Sequence, residues 1–354
     1  MSLLSRTLAQ IEPQDSQKRA SAHARLEQLA IPHWALGRLM DLAEDLAGMT
    51  RSMHPPVRKR TIVTMAGDHG VAAEGVSNYP QEVTAQMVHN FVKGGAGINA
   101  LARQAGARVV VVDMGVAGDL SGLAASGQIE SHRIGAGTGN MAEGPAMSRE
   151  EAVRAVESGI SVALQWSSDT DVFGTGDMGI GNTTPSSAII AALTGRSAAD
   201  VTGRGTGIDE DRWRNKVAVI ERALAVNRPD PGDPLDVLAK VGGFEIGGIA
   251  GLILGAASLK KPILVDGLIS TAGALIAGGL ERNSTGYMIA AHRSVEQGHR
   301  AALEHLGKEP LLDLNLRLGE GTGAALAMHL VEAAVRILTE VATFEEAAVS
   351  TADK

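Results

Sequence analysis

The strongest constraint on this 354-residue chain is a series of short apolar and β-branched runs, each closed by glycine or aspartate. Arg60-Thr61-Ile62-Val63-Thr64-Met65-Ala66 runs into Gly67-Asp68-His69-Gly70, and Arg108-Val109-Val110-Val111-Val112 ends on Asp113. Asp171-Val172-Phe173 runs into Gly174, and Pro262-Ile263-Leu264-Val265 ends on Asp266-Gly267. These runs lack the in-out alternation of a half-exposed strand and suit strands covered on both faces. Between the first two lie a Gly- and Pro-bearing loop at Glu74–Pro80 and helical stretches over Gln81–Val92 and Ile98–Gln104. Strand, loop, helix and strand in that order make a parallel βαβ unit. The expected fold class is therefore α/β: an open parallel sheet with helices on both faces, Rossmann-like and three-layered.

Helix composition over Ser16–Ala30 and Ala35–Met49 is divided by Pro32, and Pro55-Pro56 closes that segment. Arg149–Gln165, Ser186–Leu193 and Ser270–Ala277 also read as helices, the second with Thr184 as N-cap and Pro185 at its first position. Gly242-Gly243-Phe244-Glu245 opens an Ala/Gly helix, and from about Leu306 the chain reads as helical to its end. The expected division is a large α/β catalytic domain over 31–305 and a small helical domain made of 1–30 together with 306–354.

A net charge of −8 argues against a nucleic-acid or anionic-membrane surface. Without cysteine the chain has no disulfides, thiolate metal ligands or cysteine nucleophile, which fits a cytoplasmic protein. Met1–Gln17 is polar, with Glu12 and Asp15, and has no signal-peptide core. The longest uncharged apolar stretch singled out, Ile246–Leu259, is too short to cross a membrane.

Ligands of open α/β sheets bind beyond the carboxyl ends of the strands, so Gly67-Asp68, Asp113, Gly174–Thr184 and Asp266-Gly267 are expected to converge on one crevice. The Gly174–Thr184 and Val201–Gly207 loops offer clustered backbone N–H groups of the kind that cradle phosphate. Lys216 can add a full positive charge and Ser294 a hydroxyl. Near the C-terminus, Gly319-Glu320-Gly321 sets one carboxylate, free of bulky neighbours, at the entrance to the alanine-rich stretch Ala324–Ala342. That is a good place for a general base. A surface glutamate beside a helix cap has the same three letters, so the motif gains weight only together with the other loops. Gly174, Gly176 and Gly179 imitate a dinucleotide fingerprint, but not at the first βα turn and without the acid that should close a later strand. An NAD-dependent dehydrogenase and a non-catalytic nucleotide-binding protein stand as the alternatives. His69, His292, His299 and His305 have no metal-ligand spacing.

Several of these stretches also carry a family likeness. Gly67-Asp68-His69-Gly70-Val71, Glu74-Gly75-Val76-Ser77, Pro80 with Val83-Thr84 and the Gly176–Pro185 loop belong to it. So do Lys240-Val241-Gly242-Gly243-Phe244 and Arg317-Leu318-Gly319-Glu320-Gly321-Thr322-Gly323-Ala324-Ala325. Together, from about Leu36 to His329, they resemble the nicotinate-nucleotide–dimethylbenzimidazole phosphoribosyltransferases. The resemblance implies transfer of a 5-phosphoribosyl group from nicotinate mononucleotide to a benzimidazole nitrogen, giving an α-ribazole phosphate for the lower ligand of cobalamin. It implies Glu320 as general base, with Gly176, Asp177, Gly205, Lys216 and Ser294 as phosphate and ribose contacts. Tyr79, Met87, Met178 and Leu318 become walls of a flat base pocket. It implies no cofactor and no metal, small-molecule substrates as partners, neither nucleic acid nor membrane, and a homodimer. Three departures stand out: Asp177 where the family often has Glu, Tyr79 and Met87 where some members have Ser and Gln, and Pro32-His33-Trp34-Ala35-Leu36-Gly37 in place of the usual Pro-Gly-Ser-Leu-Gly.

Overall fold

The computed structural model describes residues 1–205 and 207–350. In chain order the strands are β1 (Arg60–Gly67), β2 (Ala107–Gly115), β3 (Glu130–Ser131), β4 (Val172–Met178), β5 (Ile263–Val265), β6 (Met288–Ala290), β7 (His292–Ser294) and β8 (Leu312–Leu316). The helices are α1 (Leu3–Leu8), α2 (Ser16–Leu26), α3 (Arg38–Thr50), α4 (Val83–Lys93), α5 (Gly97–Ala105), α6 (Ser121–Ala125), α7 (Arg149–Gln165) and α8 (Thr183–Thr194). They continue with α9 (Ala198–Val201), α10 (Glu210–Asn227), α11 (Pro234–Val241), α12 (Phe244–Ser258), α13 (Leu268–Leu280), α14 (Gln297–Leu306) and α15 (Thr322–Glu340).

β1 is buried along its whole length because both of its faces are covered. Thr64 turns towards the start of α15, where its hydroxyl donates to the Glu320 carbonyl at 3.0 Å. Met65 turns the other way, against Gly248 of α12, where a Cβ would lie 2.4 Å from its sulfur. One layer thus holds α15 with α3 and α5, the other α12 with α7 and α13, and the sheet lies between. The strand order is β3-β2-β1-β4-β5-β6 with every pair parallel. The chain works outward from β1 to β3, then crosses back to lay β4 on the other side of β1. That reversal opens a crevice beyond the carboxyl ends of β1 and β4, where a doubly wound sheet takes its ligand. The α/β, three-layer expectation therefore holds.

Several local expectations do not. α8 begins at Thr183 with Asn182 as its N-cap, so Thr184 caps nothing and Pro185 sits in the first turn, where its missing N–H has no helical partner to lose. α3 starts at Arg38 because Trp34 and Gly37 take left-handed backbone, and α2 stops at Leu26. The chain after Leu306 is not helical throughout: β8 pairs in parallel with β7 in a second, two-stranded sheet. Its Leu312, Leu314 and Leu316 alternate with Asp313 and Asn315, the period of a strand.

The two ends of the chain meet. α2 and α3 pack on α15, Arg25 Nε donates to the Leu338 carbonyl at 2.9 Å, and Leu29 bridges to Thr343. Among the described residues α15 is the one helix long and apolar enough to cross a membrane by length and composition, though with Glu332 and Arg336 inside it α15 is not an uncharged run of the kind weighed for Ile246–Leu259. Its apolar face, including Met328, Val331 and Leu338, is buried within the fold.

Candidate active site

The crevice at the β1/β4 switch point is a cavity of about 510 Å³. Tyr79, Met87, Asp177, Met178, Gly205, Ser294, Leu318 and Glu320 all line it, although they come from six separate stretches of chain. The two remaining sequence candidates lie just behind the wall. Gly176 sits in β4 under the Glu320 backbone, so close that a Cβ there would be 2.3 Å from the Glu320 carbonyl oxygen. Lys216, on α10, is buried and its Nζ donates to Thr183 Oγ1 at 2.7 Å, with Thr183 facing the cavity. Thr206, in the Val201–Gly207 loop, lies outside the described residues.

Glu320 is held in a strained backbone. It has φ 63° between Gly319 at 81° and Gly321 at 96°, three left-handed residues in a row. A non-glycine residue in that region costs about 1–3 kcal/mol and persists only where its surroundings over-determine it. They do so here. Thr64 holds the Glu320 carbonyl, and Ile98 N–H, in the first turn of α5, donates to Glu320 Oε2 at 3.0 Å. Asp266, at the end of β5, accepts from Gly321 N at 3.3 Å and from Ala324 N at 3.0 Å, capping α15 and fixing the loop. Glu320 is only 5% exposed. Burial raises its pKa, the Ile98 N–H opposes the rise, and the Asp266 charge adds to it.

Asp177 leans over the same cavity. Burial, and then the charge of Asp266, push its pKa well above the usual carboxylate range, against a 3.0 Å hydrogen bond from the Asn182 amide. Its second oxygen has no protein partner. Burial also pulls the Lys216 pKa down to about 8, with the Glu296 charge opposing. Acids in the cavity wall and a lysine just behind it are thus both desolvated, as groups that exchange protons or meet ligand charge tend to be.

Sequence reasoning put Asp266 and the loop with Thr183 at the crevice without giving either a role, and did not name His292, Glu296 or Arg317 as site residues. Asp266 was visible as a strand-end acid, and Arg317 stands inside the Glu320 motif. Glu296 carries no local signal. His292 Nε2 stands 3.6 Å from Asp266 Oδ1. His69 is engaged by Glu245 at 2.8 Å, and no three His, Asp or Glu among the described residues are grouped to hold a metal ion. Gly174 and Gly176, which imitate a dinucleotide fingerprint, lie inside β4 and admit Ala324, Met328 and the Glu320 backbone, so their spacing serves packing.

A parallel sheet wound in this order, with a glycine-lined crevice that carries desolvated acids, defines a nucleotide-handling α/β enzyme, and its class is that of the phosphoribosyltransferases: the family of that description matches residues 11–349. Among relatives, the nicotinate-nucleotide–dimethylbenzimidazole phosphoribosyltransferase of Syntrophotalea carbinolica is 67% identical over 99% of both chains. The protein of the same name from Desulfotalea psychrophila is 60% identical over 100% of both. The solved structure of that enzyme from Thermus thermophilus superposes with a TM-score of 0.89 at 45% identity, covering 96% of this chain and 100% of the other. The chain belongs to the nicotinate-nucleotide–dimethylbenzimidazole phosphoribosyltransferase family.

Proposed function

We propose that this protein transfers the 5-phosphoribosyl group of nicotinate mononucleotide to 5,6-dimethylbenzimidazole or a related base. The products are α-ribazole 5′-phosphate and nicotinate, the first destined for the lower ligand of cobalamin. One ring nitrogen of the neutral base attacks the anomeric carbon. The bond from that carbon to the pyridinium nitrogen breaks, and its electron pair leaves with nicotinate. The proton on the other ring nitrogen passes to Glu320. Attack from the face opposite the leaving group turns β into α, so the two bases lie on opposite sides of the ribose, which is a positioning task for the cleft.

The observation that carries this reading is the Glu320 carboxylate, buried at the cavity wall on a backbone locked by Thr64, Ile98 and Asp266. Its raised pKa brings it nearer the acidity of a benzimidazole that has begun to bond, which favours general-base catalysis. We assign Gly176, Asp177, Gly205, Lys216 and Ser294 to the phosphate and ribose, and Tyr79, Met87, Met178 and Leu318 to the base. Glu320→Gln keeps the shape and the hydrogen bond from Ile98 but removes the base. Turnover of nicotinate mononucleotide with dimethylbenzimidazole, followed by chromatography, should fall about 10²–10⁴-fold. Full turnover in a correctly folded Glu320→Gln protein overturns the assignment.

The reading includes a cytoplasmic location and a homodimer. Light scattering should return twice the 36.6 kDa chain mass, and a monomer that turns over normally would remove the dimer from the proposal.

A further inference from the structure

We propose that α10 is a coupling strap: it ties the wall of the base pocket to the phosphate end of the cleft, so that nicotinate mononucleotide sets the wall for the incoming base. Glu74, Asn215 and Arg222 are its positioning residues. The proposal rests on the functional reading above and adds an order to it, nucleotide before base.

The wall in question is the segment that follows β1. A short 3-10 turn over Gly70–Glu74 ends at Gly75, and Val76, Ser77 and Tyr79 beyond it face the cavity. Two neighbours fasten this segment: the 138–140 loop, whose Thr138 carbonyl accepts from Gly70 N at 3.1 Å, and three side chains of α10. Asn215 Nδ2 donates to the Glu74 carbonyl at 2.8 Å, Arg222 donates to the Glu74 carboxylate, and Arg212 donates to the Asn78 side chain. The other Glu74 oxygen accepts from Asn140 Nδ2 at 2.7 Å. Residues 212, 215 and 222 are three and seven apart and share one face of the helix.

The same helix also reaches the proposed phosphate site. Lys216, one residue from Asn215, donates to Thr183 at the cavity wall, and a Cβ on Gly205 would lie 3.2 Å from its ammonium. Trp213 Nε1 donates to the Thr202 carbonyl at 2.8 Å, holding the loop that carries Gly205. One helix therefore grips the base wall through Arg212, Asn215 and Arg222, and the proposed phosphate cradle through Trp213 and Lys216. An α-helix moves as a unit. When a ligand phosphate engages Lys216 and the Gly205 loop, the whole of α10 is fixed, and the base wall with it. The Arg222–Glu74 contact is charge-assisted, and the Asn215 amide holds the Glu74 carbonyl.

The test uses the full-length enzyme with Glu74→Gln and Arg222→Met, neither of which touches the cavity. Steady-state kinetics should give a KM for dimethylbenzimidazole about tenfold higher, with the KM for nicotinate mononucleotide and kcat at saturating base within about twofold of wild type. Hydrogen exchange read by mass spectrometry supplies a measurement independent of turnover. Nicotinate mononucleotide alone should slow exchange over residues 74–79 in the wild type, and should fail to do so in either variant while still protecting 177–183. Wild-type base KM and wild-type protection in both variants overturn the strap, as does an equal rise in both KM values, which marks a merely structural role. A wild-type protein that forms no α-ribazole phosphate overturns the functional reading instead, and the strap falls with it.

Discussion

Lys216 shows how far a residue's chemistry depends on what surrounds it. Burial takes its pKa from 10.5 down to about 8, so the folded protein loses the lysine proton at a pH where the unfolded chain keeps it. The sign follows: the cost of burying this charge is full below pH 8 and fades as pH rises from about 8 towards 10.5. A phosphate beside the ammonium restores the charge. In our assignment, nicotinate mononucleotide binding takes up a proton above about pH 8, and its affinity falls as pH rises through that value. Titration calorimetry in two buffers of different ionisation enthalpy reads that uptake directly; an affinity flat from pH 7 to 9 would rule out the contact, and Lys216→Met should be flat and weaker throughout. At this scale the sequence exposes some roles and hides others. Glu320 between two glycines was legible because the motif is local. The cap that Asp266 places on α15 was not, because its partners lie 55 and 58 residues along the chain. Glu296 faces Lys216 only because the fold brings them together, and nothing near it in the chain announces that.

At the scale of elements, the site depends on how closely β4 and the loop before α15 approach each other. Gly176 permits it: a Cβ there would meet the Glu320 carbonyl carbon at 2.7 Å and its oxygen at 2.3 Å, and both are backbone atoms with no rotamer to escape into. Gly176→Ala must therefore push the loop away or bend the strand. A catalytic group displaced by about 1 Å costs on the order of 10²-fold in rate, so kcat should drop by about that factor, with a loss of stability of about 1–3 kcal/mol from the overpacking. Equal kcat in the variant would mean that the loop position is not critical. The strands that could be read in advance were the continuous apolar ones, β1, β2 and β5, because burial on both faces leaves an unmistakable composition; of β4 only Val172-Phe173 was legible, since Gly174–Met178 reads as a glycine loop. β8 was missed although Leu312, Leu314 and Leu316 alternate with polar residues; its exposed faces gave it no apolar run, and the helical stretches on either side masked the change of period. Helix starts failed where the backbone turns left-handed at Trp34 and Gly37, a choice made by tertiary contacts rather than by composition.

For the whole molecule, the βαβ unit announced a parallel sheet, but not the order in which six strands sit, since pairing across the switch point joins residues more than a hundred positions apart. The division into an α/β body over 31–305 and a helical lobe of 1–30 with 306–354 remains our proposal for the chain's organisation, and it has a thermodynamic consequence. The lobe and the body share one apolar cluster that runs from Leu4 and Leu26 through Met40 to Val331 and Leu338. α15 belongs to the lobe by sequence, yet its first turn is capped by Asp266 of the body and carries the Glu320 loop. A lobe bound in this way has no core of its own to keep it folded after the body is lost. Scanning calorimetry should therefore record one unfolding transition, and nicotinate mononucleotide should move the whole of it upward, because a ligand that binds only the folded state stabilises everything that unfolds with its site. Two resolved transitions, with only the later one shifted by the nucleotide, would mean that the lobe unfolds on its own and that the shared cluster is an interface rather than a core.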